Sequence, residues 1–230
     1  SHAACARAVE LCQMDSVESV MKGSLHTDEL MGALLAKTSG LRTERRVSHV
    51  FVFDVPTYPR PLLITDAAIN IAPDLSAKRD IIQNAIELAH ALKIDEPKVA
   101  ILSAVETVTP SIPSTLDAAA LCSMAQRGQI TGAVLDGPLA FDNAVSETAA
   151  KIKGIQSPVA GVADVLVTPD LESGNMLAKQ LEYLAHGEGS GIVLGLRLPI
   201  ILTSRADDAI SRLASCALAV ILRAHQRKDA

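Results

Sequence analysis

Tryptophan is absent from this 230-residue chain, and aromatic residues supply only 2% of it. Ala, Val, Ile and Leu must then fill the core, as they do in buried parallel strands and the helices that cover them. No stretch of about 18 uninterrupted apolar residues occurs, although 213–222 is locally apolar, and this argues against membrane insertion. No secretory signal pattern is visible. Long blocks of Lys and Arg are also missing and the formal net charge is −5, so the electrostatic footprint of a nucleic-acid binder is lacking. Cys5, Cys12, Cys122 and Cys216 show no C-x-x-C spacing and sit in apolar helical patterns, as expected of reduced packing residues in a cytoplasmic protein. The six histidines are scattered without H-x-x-x-H spacing, so they give no support for zinc.

What is present is an apolar share of 49%, enough for a substantial core in one large domain or two small ones. Strand-like runs at 19–21, 47–55, 62–65, 99–102, 132–135, 165–168, 191–194 and 200–202 alternate with helical patterns at 4–12, 27–36, 77–92, 116–126, 144–151, 175–184 and 208–224. Such alternation is the mark of a mostly parallel sheet with helices outside it. Asp74 or Ser76 is placed to cap the third helix, and Ser114 the fourth. The apolar runs on either side of Pro56-Thr57-Tyr58-Pro59-Arg60-Pro61 read as a hairpin, hence an antiparallel element. The opening helix has no strand before it, and Ser1-His2 reads as a cloning remnant, so the chain is expected to start inside its fold with an N-terminal part missing.

The strongest pointer to chemistry is residues 199–211, PIILTSRADDAIS. An apolar strand stops on Thr203, Ser204, Arg205 and two carboxylates, just before a helical run. Ligands of open α/β sheets bind outside the carboxyl ends of strands, where the next helix offers unpaired N–H groups and a positive dipole end. A guanidinium beside a hydroxyl there suits a phosphate or a developing oxyanion. The small basic group Arg42, Arg45 and Arg46 reads either as a solvated loop or as a docking point for a polyanionic small molecule, such as the phosphorylated end of a cofactor. Other strand ends carry small or polar clusters: MKGSLHT, ITDAAIN, LSAVET, LDGPL and TPDLESGN. Each alone is compatible with an ordinary turn, but clusters at successive strand ends converge on one crevice.

In this order, MKGSLHT, ITDAAINIAPD, KVAILSAVET, DGPLAFDNA, SPVAGVADVLVTPDLESGN and LTSRAD resemble the phosphate acetyltransferase and phosphate butyryltransferase family over essentially the whole chain. LRTERRVSHVFVFDVP and NIAPDL look closer to the butyryltransferase-like branch. Similar C-terminal domains follow an enoyl-CoA hydratase domain in bifunctional proteins, which suits the opening. The resemblance implies an α/β, two-lobed fold like that of isocitrate and isopropylmalate dehydrogenases, with mixed, mostly parallel sheets and helices on both faces. It also implies a homodimer and an active site in the interdomain cleft. One lobe would comprise residues 1–46 and 155–230 and carry the Ser-Arg motif; the other, 47–154, would be inserted and hold the hairpin and the dimer contacts.

The reaction so implied is reversible acyl transfer between coenzyme A and inorganic phosphate, with acyl-CoA and phosphate as substrates and no permanently bound cofactor. Phosphate attacks the thioester directly, so the site needs cations that gather like charges and donors for the tetrahedral oxyanion. On the resemblance, Arg205 holds phosphate and stabilises charge, Ser204 donates its hydroxyl, and Lys22, Gly23, Ser24 and Thr27 add donors at a second helix start. Arg42, Asn70, Ser103 and Asn175 complete the phosphate- and CoA-binding set. The acetyltransferase branch carries a carboxylate seven residues after the motif's Ser, and that count lands here on Ser211. Asp207 or Asp208 can take its place, or cap the helix instead. Asp66, Asp136, Asp142 and Asp170 invite a metal reading. Their motifs instead match positions where carboxylates order loops, and no metal is expected. Two other functions share the pattern: a metal- and nicotinamide-dependent dehydrogenase of the same fold, and a non-catalytic CoA-binding or assembly domain.

Overall fold

The computed structural model describes residues 2–204 and 207–227. In chain order the elements are α1 (His2–Gln13), β1 (Val20–Met21), α2 (Thr27–Leu35), a 3-10 turn (Lys37–Ser39), β2 (Ser48–Asp54), β3 (Leu62–Thr65), α3 (Leu75–Ala91), β4 (Lys98–Leu102) and α4 (Pro113–Gln126). They continue with β5 (Val134–Leu139), α5 (Phe141–Val145), α6 (Glu147–Ile152), β6 (Val165–Val167), α7 (Leu171–Leu184), β7 (Glu188–Leu194), β8 (Ile200–Ile201) and α8 (Ala209–Gln226). Two compact units result, Ser1–His49 with Ser190–Ala230, and Val50–Gly189.

In the first unit the strand order is β1-β8-β7. β1 runs parallel to β8 with Val20 opposite Ile200 and Met21 opposite Ile201, while Val193 of β7 faces Ile200 in antiparallel sense. α8 buries Ser215, Leu218, Ala219 and Leu222, a spacing that keeps one helical face inward. Ser215 lies on that face without cost, because its Oγ accepts from Gly191 N at 3.0 Å and donates to Ser211 O at 2.9 Å. α1 packs on α2 and buries Cys5 and Cys12.

The second unit orders its strands β2-β3-β6-β4-β5. β3 is antiparallel to β2, and the pairs β3–β6, β6–β4 and β4–β5 are parallel. The hairpin expected around the three prolines is the antiparallel β2–β3 pair. Its turn closes through Tyr58 N to Val55 O at 2.8 Å, and the Tyr58 hydroxyl anchors it to Ala163 O at 2.6 Å. β3 and β6 are buried along their whole length, as strands flanked on both edges by parallel or mixed neighbours require. α3 buries Ile81, Ile82, Ala85, Ile86, Leu88 and Ala89, and Asp74 caps it by accepting from Ala77 N at 2.8 Å.

Three expectations change. Pro113 starts α4 a turn earlier than the apolar pattern indicates, so Ser114 lies inside the helix and does not cap it. The single helix expected at 144–151 is two, α5 and α6, because Ser146 is extended (φ −128°, ψ 110°) and its hydroxyl accepts from Ala149 N to start the second. Residues 155–189, expected with the chain ends, belong to the Val50–Gly189 unit. The reason is β6, which is hydrogen-bonded between β3 and β4.

Candidate active site

The parallel register of β1 and β8 brings Lys22-Gly23-Ser24 and Thr203-Ser204 to the same carboxyl strand ends of the first unit. The ladder runs on past both strands. Lys22 N donates to Ile201 O at 2.9 Å, and the buried Thr203 hydroxyl donates to Lys22 O at 2.9 Å. Lys22 is only 5% exposed. Its ammonium turns back into its own loop, donating to Gly23 O and Leu25 O at 3.2 Å each. Ser24 and Thr27 are exposed, and Thr27 opens α2, whose N-cap residue His26 makes no side-chain capping bond. Gly23 has an ordinary φ, and a Cβ placed there would meet nothing within 4 Å, so neither backbone nor packing demands glycine.

Ser204 is exposed, and its backbone is tied to Asp207: Ser204 N donates to Asp207 Oδ2 at 2.8 Å and Asp207 N to Ser204 O at 3.3 Å. Asp208 caps α8, accepting from Ser211 N at 2.8 Å. The backbone and side-chain hydrogen bonds from Ser211 hold its carboxyl below the usual range. Of the two acids weighed as stand-ins for the displaced carboxylate, Asp208 therefore serves the helix and Asp207 holds the Ser204 backbone. Arg205 lies outside the described residues. Arg42 is exposed on a segment that forms an antiparallel bridge with Leu196.

In the second unit the other candidates sit in polar knots at strand ends. The Asp66 carboxylate is 3% exposed and accepts from Ala68 N, Ile69 N and Asn70 N, and from Asn70 Nδ2 at 2.6 Å. Burial pushes its pKa up, and those hydrogen bonds oppose the shift. Asn70 is thus spent on ordering the β3–α3 loop. Asn175 Nδ2 donates to Ala67 O at 3.2 Å, tying α7 to the same loop. Ser103 Oγ, at the end of β4, pairs with Ser114 Oγ at 2.8 Å. Asp136 accepts from Gly137 N at 2.8 Å within β5 and Asp170 caps α7, so both bond backbone amides, whereas Asp142 makes an exposed ion pair 3.6 Å from Lys153.

The sequence places Thr203 and Thr168 only as members of strand-end clusters and gives neither a role of its own. The latter reaches the carbonyls of Thr65, Asp66 and Asp170 from the end of β6. Each is a threonine closing an apolar strand, and that position was the available signal.

A family model described as Phosphate acetyl/butaryl transferase matches residues 2–220. The chain belongs to that family. The phosphate acetyltransferase of Rhizobium meliloti is 65% identical over 227 residues, 99% of this chain and 72% of its own length. That of Rickettsia prowazekii is 64% identical over 220 residues, 95% of this chain but only 63% of its own length, less than two thirds. The phosphate butyryltransferase of Clostridium acetobutylicum stands at 45% over 216 residues, 94% of this chain and 72% of its own length. Among solved structures, a branched-chain phosphotransacylase from Enterococcus faecalis superposes with a TM-score of 0.87 at 33% identity, covering 95% of this chain and 78% of that one. Acyl transfer to phosphate is the activity these family names carry, and the dehydrogenase alternative finds no relative at comparable identity among them.

Proposed function

We propose that this chain carries the phosphate-acyl transfer site of its family, moving a short acyl group between coenzyme A and inorganic phosphate by direct attack of phosphate on the thioester. The observation that carries the reading is the β1–β8 register, which sets the Lys22–Ser24 and Thr203–Ser204 segments side by side at one strand end. Attack of one anion on another molecule bearing several phosphates is slow unless cations and donors gather the charges. Arg205 takes the attacking phosphate and the charge of the tetrahedral intermediate. The Ser204 hydroxyl is a second donor, on a backbone that Asp207 holds. Phosphate dianion is itself the nucleophile, so no covalent enzyme intermediate forms. Arg42, with Arg45 and Arg46, offers charge to the phosphates of coenzyme A, and Asn70 and Asn175 order the β3–α3 loop of the second unit. Acetyl is the preferred acyl group, since the acetyltransferase relatives at 64–65% stand well above the butyryltransferase at 45%, against the butyryl-side reading of LRTERRVSHVFVFDVP.

The test is thiol release from acetyl-CoA, propionyl-CoA and butyryl-CoA, each with and without phosphate. Release that phosphate does not accelerate refutes the reading. The same proposal places the chain in the cytoplasm, where its four free cysteines stay reduced. It also makes the chain a homodimer through the middle of the sequence, where β5 is a half-buried edge strand and Leu116 and Ile152 are exposed. Light scattering at monomer mass counts against that.

A further inference from the structure

We infer that Lys22 is a positioning residue for the phosphate site: its buried ammonium acts through the 23–26 loop and does not touch substrate. This rests on the phosphate-transfer reading above. A lysine meant to grip phosphate presents its head to solvent, whereas this one is 5% exposed. Two of its three N–H bonds go to Gly23 O and Leu25 O, and no carboxylate pairs with it among the described residues. In a planar trans peptide the C=O and the N–H of the same unit point in opposite directions. Drawing the Gly23 carbonyl onto the ammonium therefore turns the Ser24 N–H the other way. Ser24 is exposed, and its N–H has no acceptor among the described residues. The open space at Gly23 leaves room for a ligand to approach that donor.

The loop is fixed at a second point. Thr203 Oγ1 donates to Lys22 O, and Lys22 N is bonded to Ile201 O, so the residue that orients the loop is itself clamped to β8, one residue before Ser204. A single unpaired positive charge lies behind the loop and adds attraction for an anion in front of it. Lys22 and Thr203 are thus one device: the first aims the Ser24 amide, and the second sets the loop in register with Ser204.

The experiment compares wild type, Lys22→Met, Lys22→Gln, Thr203→Val and the double variant Lys22→Met/Thr203→Val. It measures the phosphate and acetyl-CoA dependence of thiol release and the rise in Tm that inorganic phosphate produces. Lys22→Met is expected to raise the KM for phosphate about tenfold, the size of one lost charge-assisted contact, while the KM for acetyl-CoA stays within about twofold. Lys22→Gln, which keeps N–H donors for the two carbonyls but no charge, should recover part of the loss. A direct charge contact would instead make Lys22→Gln as poor as Lys22→Met. Thr203→Val should show the same selective effect on phosphate, and the double variant should be no worse than Lys22→Met, since both act on one loop. An unchanged phosphate KM in Lys22→Met, or multiplying effects in the double variant, overturns the inference. If Lys22→Met does not fold, Lys22→Gln and Thr203→Val carry the comparison. Should wild type lack phosphate-dependent turnover yet gain Tm with phosphate, and lose that gain in Thr203→Val, the transferase reading fails and the anchor stands. No gain in Tm for wild type removes the anchor.

Discussion

The glycines of two helices should respond to the same substitution with opposite sign. Gly174, in the first turn of α7, faces the Asp66 loop so closely that a Cβ would sit 2.6 Å from Thr168 Oγ1, 2.7 Å from Asp66 O and 3.1 Å from Ala67 Cα. Two of these neighbours are backbone, and the third is a hydroxyl held by carbonyl acceptors, so none can retreat cheaply. Overpacking of this kind costs about 1–3 kcal/mol. Replacing a helical glycine by alanine returns up to about 1 kcal/mol. Contacts of 2.6–2.7 Å put the cost in the upper part of that range, about 2–3 kcal/mol, so the net for Gly174→Ala is a loss of about 1–2 kcal/mol after a full return, or a drop in Tm of about 2–8 °C for a chain of this length. Gly32, midway along α2, is exposed, and a Cβ there meets nothing within 4 Å. Gly32→Ala should therefore gain about 0.5–1 kcal/mol and raise Tm by about 1–4 °C. Differential scanning calorimetry of the two variants beside wild type decides the matter. A Gly174→Ala protein as stable as wild type would mean that α7 does not seat on the Asp66 loop as described, and a Gly32→Ala protein that melts lower would refute the propensity argument.

Arg205→Ala should lower kcat/KM about 30-fold to 1,000-fold, the loss of about 2–4 kcal/mol of transition-state stabilisation, and leave the melt unchanged; wild-type turnover by the folded variant would sink the proposed role. Ser204→Ala should cost less, about 0.5–1.5 kcal/mol, as one neutral hydrogen bond does. Full burial pushes His49 down to about 3 from its ordinary 6.5. The unfolded chain then takes up a proton that the folded chain refuses, so stability present above pH 6.5 should fall by about 1.4 kcal/mol per pH unit on acidification towards pH 3, and urea titrations of His49→Gln should show a flatter pH dependence.

Period and punctuation were enough to find all eight strands among the described residues, because buried parallel strands are short apolar runs that end on small or polar residues. What period does not encode is how far an element extends. The β5 run was expected at 132–135, yet the strand is Val134–Leu139 and passes through Asp136-Gly137-Pro138, which reads as a turn. Gly137 lies in the strand because Ile101 of β4 is so near that a Cβ would come within 2.7 Å of it. That is a contact between residues far apart in sequence, and no local pattern reports it. The same limit applies to the site. Strand-end clusters located Lys22, Ser24 and Ser204 correctly at adjacent strand ends. Their residue types did not reveal that the Lys22 ammonium turns inward, or that Asn70 and Asn175 bond to nearby backbone and carboxylate. A short amide side chain serves a loop or a ligand equally well, and only the neighbouring chain decides which.

The β1–β8 ladder joins only two pairs of residues, with Lys22 N to Ile201 O and the Thr203 hydroxyl as its extension. Opening it breaks a handful of hydrogen bonds and leaves the buried sheet of the second unit intact. Heat should therefore switch the enzyme off before it melts it: on a warming ramp, turnover would decline reversibly while the far-ultraviolet signal still reads native, and cooling would restore it without refolding.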